Sequence, residues 1–157
     1  MPRFDSLLIG NDFSVGSTYY IDHYPGDQIN RRIILNVTFD QAETIPMIVD
    51  TGSAWCILDP QLVDAWQSTF EAIYHSSQPY NIRGNRYTAR YVRARITLNA
   101  THGQDLTTEA TFFVPDLSPG EMWNEPNFLG LYGFLERIRF AVDAAENAFY
   151  FGSDIRG

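Results

Sequence analysis

Apolar and polar residues alternate along much of this chain, and a period of two is typical of β-strands with one buried face. In the clearest case, arginine or threonine separates the apolar residues Val92, Ala94, Ile96 and Leu98. Four segments rich in alternating or β-branched residues therefore predict strands, and the first two predict a hairpin that turns at 41–44. The four predicted strands are 29–40, 45–52, 86–100 and 106–117.

A helix is predicted over 59–75, where apolar residues recur at a spacing of four. Asp59 is a natural N-cap, and Pro60 suits the first helical position because its missing N–H is not needed there. The apolar residues at this spacing are Leu62, Trp66, Phe70 and Tyr74.

The last part of the chain predicts three further elements after a proline-rich loop at 118–127. They are a short apolar strand ending at Gly130, a short helix around 134–139, and a hairpin that turns at 144–147. The whole pattern predicts a mostly β fold, a closed barrel or folded sheet, with one helix after the second strand and one short helix near the C-terminus.

The composition is typical of one globular domain. The chain has 157 residues, 45% apolar and 19% charged, which predicts a single domain over 1–157. A net charge of −8 argues against binding to nucleic acid or to an acidic membrane surface. No apolar run reaches the roughly 18 residues of a transmembrane helix. The N-terminus lacks the apolar core and cleavage site of a signal peptide, so a cytoplasmic location is expected.

The candidate chemistry lies at Asp50, which directly follows three aliphatic residues and precedes a second apolar segment at 55–58. A carboxylate buried there without a partner costs several kcal/mol, so its position requires compensation or a use. One interpretation is an ordinary turn at a strand end, with the carboxylate in water. That interpretation accounts for Asp50 and Gly52 but not for the apolar residues on both sides.

The second interpretation is catalytic. Two carboxylates that share a site hold one proton between them, so one oxygen activates a water while another protonates a substrate oxygen. This chemistry hydrolyses amides without a metal, a cofactor or a covalent nucleophile. The chain has only one aspartate in this setting, so a symmetric homodimer is expected to supply the second.

The cysteine and the histidines do not favour a different chemistry. Cys56 has no identifiable histidine partner and is predicted to be a buried structural thiol. His23, His75 and His102 lack the spacing of metal ligands, so neither a metal site nor a cofactor is expected.

The stretch IVDTGSAWCIL at 48–58 resembles the active-site strand and loop of aspartic proteases, in which apolar residues precede Asp, Thr or Ser, Gly, and Ala or Ser. One such motif in a chain of this length is similar to the retropepsin-like branch, whose half-sized chains form homodimers. A second stretch, with its predicted helix, resembles the segment that these proteins place beneath the catalytic loop. The resemblance implies an acid-protease fold with a core at 31–152, and it leaves 1–30 as an N-terminal extension. The second stretch begins with Phe128, Leu129 and Gly130.

The resemblance implies a role for each residue of the first motif. Asp50 is expected to be the catalytic aspartate, paired with the same residue of a second copy. Thr51 is expected to reach across the two-fold axis and brace the two loops, and Gly52 to let the substrate main chain approach. Ser53 is expected to donate a hydrogen bond to the carboxylates.

The resemblance also implies a flap, which is a hairpin that closes over the substrate. The candidate hairpin is 78–92 with its tip at Gly84 and Asn85, and a plain surface hairpin is the alternative. The hairpin, with its second strand continued to residue 95, holds five of the eleven basic residues, which we expect to form a solvated polar face. A preference for acidic peptides, or an anionic regulator, is the alternative. The candidate flap residues are Arg83, Gly84, Asn85, Arg86 and Tyr87.

Three positions differ from the viral pattern. Retroviral enzymes have acidic residues after the small residue of the motif and an arginine after the downstream glycine, and these groups pair and stabilise the dimer. Here the positions hold Ala54, Trp55 and Leu131. The chain is therefore more similar to cellular, bacterial-type proteins of this branch, with apolar contact as a physically reasonable replacement for the ion pair.

These observations predict an aspartic endopeptidase, a hydrolase that acts on protein or peptide substrates as a homodimer. The alternative is a non-catalytic dimeric peptide-binding or scaffold module on the same fold. The intact sequence Asp50-Thr51-Gly52 favours the enzyme, because peptide-bond chemistry gives a reason for a carboxylate in so costly a position.

Overall fold

The strands form two sheets in a computed structural model that describes residues 13–27 and 29–153. The first half of the chain contains β1 (Gly16–Tyr19), β2 (Ile34–Phe39), β3 (Thr44–Val49), β4 (Cys56–Ile57), α1 (Pro60–Ala65), a 3₁₀ turn (Gln67–Thr69) and β5 (Glu71–Ile82). The second half contains β6 (Asn85–Leu98), β7 (His102–Gly103), β8 (Leu106–Pro115), β9 (Phe128–Leu129), a 3₁₀ turn (Leu135–Arg137), β10 (Ile138–Asp143) and β11 (Ala148–Ser153).

Six strands close into a barrel in the order β2-β3-β9-β4-β8-β6, because β6 also pairs with β2. The apolar face predicted for β6 points into it, and all four of its predicted members are buried. Bulky aromatic residues such as Phe39 and Phe112 fill the interior, with ring centroids 5.5 Å apart. The prediction of a mostly β, closed-barrel fold is thereby confirmed.

Strand β5 lies outside the closed barrel, at the edge of the sheet, and pairs only with β6 among the described strands. The pairing is irregular, because its register shifts between Ala72 and Tyr74 and again between Ser76 and Tyr80. Beyond the second shift the two strands form a regular hairpin end. This end is the part of the hairpin that lies near Asp50.

The four-stranded second sheet has the order β10-β11-β1-β7, so the N-terminal segment contributes a central strand. The pattern of apolar residues predicts no strand before residue 29, because β1 is short and holds mainly small and polar residues. Its glycine explains the fit: a Cβ at Gly16 would lie 2.2 Å from the carbonyl oxygen of Gln104. Tyr20, directly after β1, is buried in the main core.

The helix predicted over 59–75 is correct at its start and wrong at its end. Asp59 caps it by accepting a hydrogen bond from the Gln61 N–H at 2.9 Å, and Pro60 is its first residue. It ends at Ala65, because the chain from Glu71 onward pairs with β6 instead. Within 13–27 and 29–153, no helix is long and apolar enough to span a membrane.

The C-terminal elements follow the predicted order with one correction. The short strand is β9, and β10 and β11 form the predicted hairpin with its turn at 144–147. The helix expected around 134–139 is a single 3₁₀ turn, because Ile138 and Arg139 already pair with β11.

Replacing Gly16 tests the seating of β1. We expect Gly16→Ala to lower the free energy of unfolding by about 1–3 kcal/mol, because the added methyl group meets a backbone oxygen that cannot move freely. Thr18→Ala on the same strand is the matched control, and its expected cost is below about 1 kcal/mol. Chemical denaturation measures both values. Equal stability of wild type and Gly16→Ala would contradict this position for β1.

Candidate active site

Asp50 lies at the end of β3, in a tight turn of the main chain. Its Oδ1 accepts a hydrogen bond from the Gly52 N–H at 2.9 Å, and its carbonyl oxygen accepts one from the Ser53 N–H at 3.1 Å. The side chain is half-buried, whereas Thr51 and Gly52 are exposed. The described residues give the carboxylate one donor, so most of its hydrogen-bonding capacity is available to a further partner.

The loop at 50–55 is held by main-chain hydrogen bonds from the segment that follows β9. The Asp50 N–H donates to the Leu129 carbonyl at 2.9 Å. In the other direction, the Leu131 N–H donates to the Ser53 carbonyl at 3.0 Å and the Tyr132 N–H to the Ala54 carbonyl at 2.8 Å. The structure therefore brings the two sequence motifs together.

Gly130 makes this approach possible. A Cβ at this position would lie 2.2 Å from the Trp55 carbonyl oxygen and 2.8 Å from the Ser53 carbonyl oxygen. Real Cβ atoms do not approach an oxygen so closely, so the parallel course of the loop and the segment at 129–132 requires glycine. Phe128 and Leu129, the two residues before it, are buried.

Two hydroxyl groups in the loop differ in their bonding. Ser53 Oγ donates to the Trp55 carbonyl at 2.7 Å and thus closes the turn, which differs from the expected bond to a carboxylate. The Thr51 side chain is exposed and makes no hydrogen bond with any residue in the described ranges. The Thr51 hydroxyl group can therefore donate and accept a hydrogen bond with a further partner.

The candidate flap is the β5–β6 hairpin, and its tip lies one residue earlier than predicted. Ile82 pairs with Asn85, so the two tip residues are Arg83 and Gly84. Both have positive φ, 49° and 88°, as the twist of a two-residue hairpin requires. The Gly84 N–H donates to Asn81 Oδ1 at 2.8 Å and stabilises the turn.

The hairpin end lies over the loop at 50–55. Ile82 is 5% exposed and belongs to the same apolar cluster as Phe128. A cavity of about 190 Å³ separates the hairpin from the loop, with Asp50 and Gly52 on one side and Arg83 on the other. Of the remaining candidate flap residues, Asn85 and Arg86 are exposed, and Tyr87 lies with its ring centroid 5.6 Å from Trp123.

Three of the five arginines on this hairpin pair with carboxylates of the same chain. Arg83 also lies over the Phe128 ring, 5.4 Å from its centroid. These contacts favour a structural role for the three arginines over a site for acidic peptides. The pairs are Arg83–Glu125 (2.6 Å), Arg90–Asp64 (2.6 Å) and Arg93–Glu109 (4.0 Å).

A second and larger cavity, of about 610 Å³, has Asp50 in its wall. The sequence did not reveal it, because its walls come from segments far apart in the chain, including the region before β2 and the β10–β11 turn. The one sequence signal is the pair of adjacent arginines directly before β2. Its polar lining comprises Asp22, Arg31, Arg32, Asp50 and Asn147, and Tyr20 also lines it.

Trp55, at one of the positions that differ from the viral ion pair, packs against two aromatic rings. The Trp55 ring lies 5.5 Å from the Tyr132 ring and 5.0 Å from the Tyr91 ring, measured between centroids. Leu131 is 42% exposed and Tyr132 is 54% exposed, so an apolar surface borders the loop at 50–55.

Comparison with solved structures finds proteins of similar fold. No protein-family model and no curated protein matches the sequence. The fold is similar to the crystal structure of a retropepsin-like aspartic protease from Rickettsia conorii, with a TM-score of 0.51 and 14% sequence identity. The match covers 88% of this chain and 94% of that chain. At this identity the likeness concerns the fold, and the acid-protease fold implied by the two motifs is confirmed.

Cys56 is a structural thiol rather than a nucleophile. It is buried, and burial raises the pKa of its thiol to about 12. Its Sγ accepts a hydrogen bond from the Gly130 N–H at 3.4 Å, so it packs directly beneath the segment that supports the loop.

The raised pKa predicts that Cys56 is unreactive in the folded protein. At pH 8 a thiol with a pKa near 12 is about one part in ten thousand thiolate, and thiolate is the reactive form. We expect a disulfide reagent to modify no thiol at pH 8 in native buffer and one thiol per chain in denaturant. Rapid modification of the native protein would contradict this burial.

Proposed function

We propose that this protein is an aspartic endopeptidase that hydrolyses peptide bonds with a water molecule activated by Asp50 of two copies. The observation that carries the proposal is the loop at 50–55. Its main chain is held by hydrogen bonds to 129–132, while the half-buried Asp50 carboxylate accepts one hydrogen bond from the described residues and Thr51 is exposed. The similarity in fold to a retropepsin-like aspartic protease supports the same conclusion.

The proposed chemistry needs two carboxylates that share one proton. The ionised carboxylate takes a proton from water, and the water oxygen attacks the peptide carbonyl carbon. The protonated carboxyl group gives its proton to the carbonyl oxygen. As the carbon–nitrogen bond breaks, the protonated carboxyl group gives its proton to the leaving nitrogen. One hydroxyl of the tetrahedral intermediate gives its proton to the ionised carboxylate, so the pair again holds one proton and the carbonyl of the product acid forms.

The hairpin end supports the proposal from the opposite side. It holds Ile82 and Arg83 above the loop, with a narrow cavity between them and Asp50. In the proposed enzyme this hairpin is the flap, and it excludes bulk water from the pair once the substrate lies in the cavity. Contacts of Tyr87 with Trp123 and of Arg83 with Glu125 hold its closed position.

Removing the Asp50 carboxylate tests the enzymatic function. We expect wild type to cleave a denatured protein mixture at some pH between about 3 and 8. Asp50→Asn is expected to lower the rate of cleavage by about 10²- to 10⁴-fold, because it removes the general base. Asp40→Asn, which removes an exposed carboxylate outside the loop, is expected to keep the wild-type rate. Cleavage is followed by mass spectrometry of the new peptide termini.

A statine-type inhibitor provides a second arm of this experiment, because it mimics the tetrahedral intermediate of the proposed reaction. Cleavage that survives both Asp50→Asn and the inhibitor would identify a contaminating protease. If wild type cleaves nothing over this pH range, the proposal is wrong and the non-catalytic peptide-binding module remains.

The dimer is tested through the apolar surface beside the loop. We propose that Leu131 and Tyr132 lie against the second copy, so Leu131→Asp is expected to shift sedimentation from dimer to monomer by burying an unpaired charge. Cleavage is expected to fall in proportion to the lost dimer. Met122→Asp, at an apolar residue that is 62% exposed in another loop, is the matched control. Wild type that sediments only as a monomer at concentrations where it cleaves would contradict the dimer.

A further inference from the structure

The wall of the larger cavity beside Asp50 contains a cation that the described residues leave unpaired. Asp50, Arg31 and Arg32 lie in the wall of this cavity, whose volume is about 610 Å³. Arg32 is half-buried and makes no ion pair or side-chain hydrogen bond with any residue in 13–27 or 29–153. An unpaired guanidinium group in such a position is costly to keep, because burial removes part of its hydration.

The first nearby carboxylate, Asp22, already has other partners. It pairs with Arg31 and accepts hydrogen bonds from His23 Nδ1 at 2.5 Å and Asn147 Nδ2 at 3.4 Å. The hydrogen bond from His23, together with the one from Asn147 and the Arg31 charge, holds the pKa of Asp22 below its usual range. Asp22 is therefore a satisfied anion, and its place in the same cavity does not neutralise Arg32.

The second nearby carboxylate, Asp27, is also engaged. Its Oδ1 accepts hydrogen bonds from the main-chain N–H groups of Asn30 at 3.2 Å and Ile29 at 3.3 Å. The Asn30 side chain donates to both of its oxygens. Asp27 thus closes its own turn, and Arg32 affects it only as a charge at a distance.

The backbone fixes Arg32 beside the active-site strand. The Arg32 N–H donates to the Asp22 carbonyl at 2.7 Å, and the Val49 N–H donates to the Ile33 carbonyl at 2.8 Å. The residue next to Arg32 is therefore bonded to the residue next to Asp50. Neither position can move far without breaking these bonds.

We propose, resting on the function proposed above, that Arg32 determines specificity by binding a carboxylate of the substrate. A planar guanidinium group with free N–H donors matches a carboxylate in a two-point contact. The apolar walls formed by Ile33, Ile48 and Val142 suit the methylene groups of an aspartate or glutamate side chain. The substrate class is thus peptides with an acidic side chain near the scissile bond.

Cleavage of a peptide library tests this assignment. The peptides have amidated C-termini, so that only side chains supply carboxylates, and we expect acidic residues to be enriched at one position near the cleaved bond. Arg32→Gln is expected to raise KM for an acidic peptide about 10- to 100-fold, the value of a charge-assisted hydrogen bond, with kcat and the matched glutamine peptide unchanged. Arg32→Lys is expected to recover part of the loss, since it keeps the charge without the planar fork.

The matched control is Arg95→Gln, which removes an exposed arginine without an ion pair in the described part of the chain and outside this cavity. It is expected to leave the preference unchanged. Thermal unfolding of each variant separates a local effect from loss of the fold. Absence of acidic enrichment in wild type, or the same enrichment in Arg32→Gln, would overturn the assignment.

A binding measurement separates this inference from the enzymatic function. The full chain with Asp50→Asn is titrated against a fluorescent acidic peptide and its glutamine counterpart, with and without Arg32→Gln. Preference for the acidic peptide that Arg32→Gln removes supports the site, even if wild type cleaves nothing. Equal binding of the two peptides, or binding only of a peptide with a free C-terminal carboxylate, overturns it.

Discussion

The position of Asp50 depends on the contact between the loop at 50–55 and the segment after β9. Main-chain hydrogen bonds join them in both directions, and each is worth roughly 1 kcal/mol. They form only because Gly130 has no Cβ, since a methyl group there would overlap the Trp55 carbonyl oxygen. The carboxylate is thus oriented by the backbone, and its side chain keeps its bonding capacity for other groups.

Most charged side chains near this loop pair with an opposite charge of the same chain. Three arginines of the β5–β6 hairpin pair with Glu125, Asp64 and Glu109, so they brace the hairpin against its own chain. Apolar residues occupy the positions where the viral pattern has an ion pair. Arg32 differs from these groups, because it is half-buried beside Asp50 and its neighbouring carboxylates have other partners.

The sequence predicted the barrel well, because strand alternation and the two motifs are local signals. It extended the first helix too far, since Phe70 and Tyr74 fit a spacing of four, whereas Tyr74 stacks on Tyr91 of the neighbouring strand at 4.5 Å. It missed β1, whose four residues owe their place to the small size of Gly16. The cavity of Arg32 depends on tertiary contacts between segments far apart in the chain, which no local pattern encodes.

The irregular edge of the larger sheet has a consequence for solubility. Strand β5 offers twelve residues of backbone at the end of the described sheet, which is long enough to recruit strands from other molecules. Its two register shifts interrupt the regular row of backbone hydrogen-bonding groups. Pro79, within the second shift, lacks a backbone N–H and so removes one donor. The same hairpin that lies over Asp50 is therefore protected against open-ended strand addition, although it places a long strand at the edge of the described sheet.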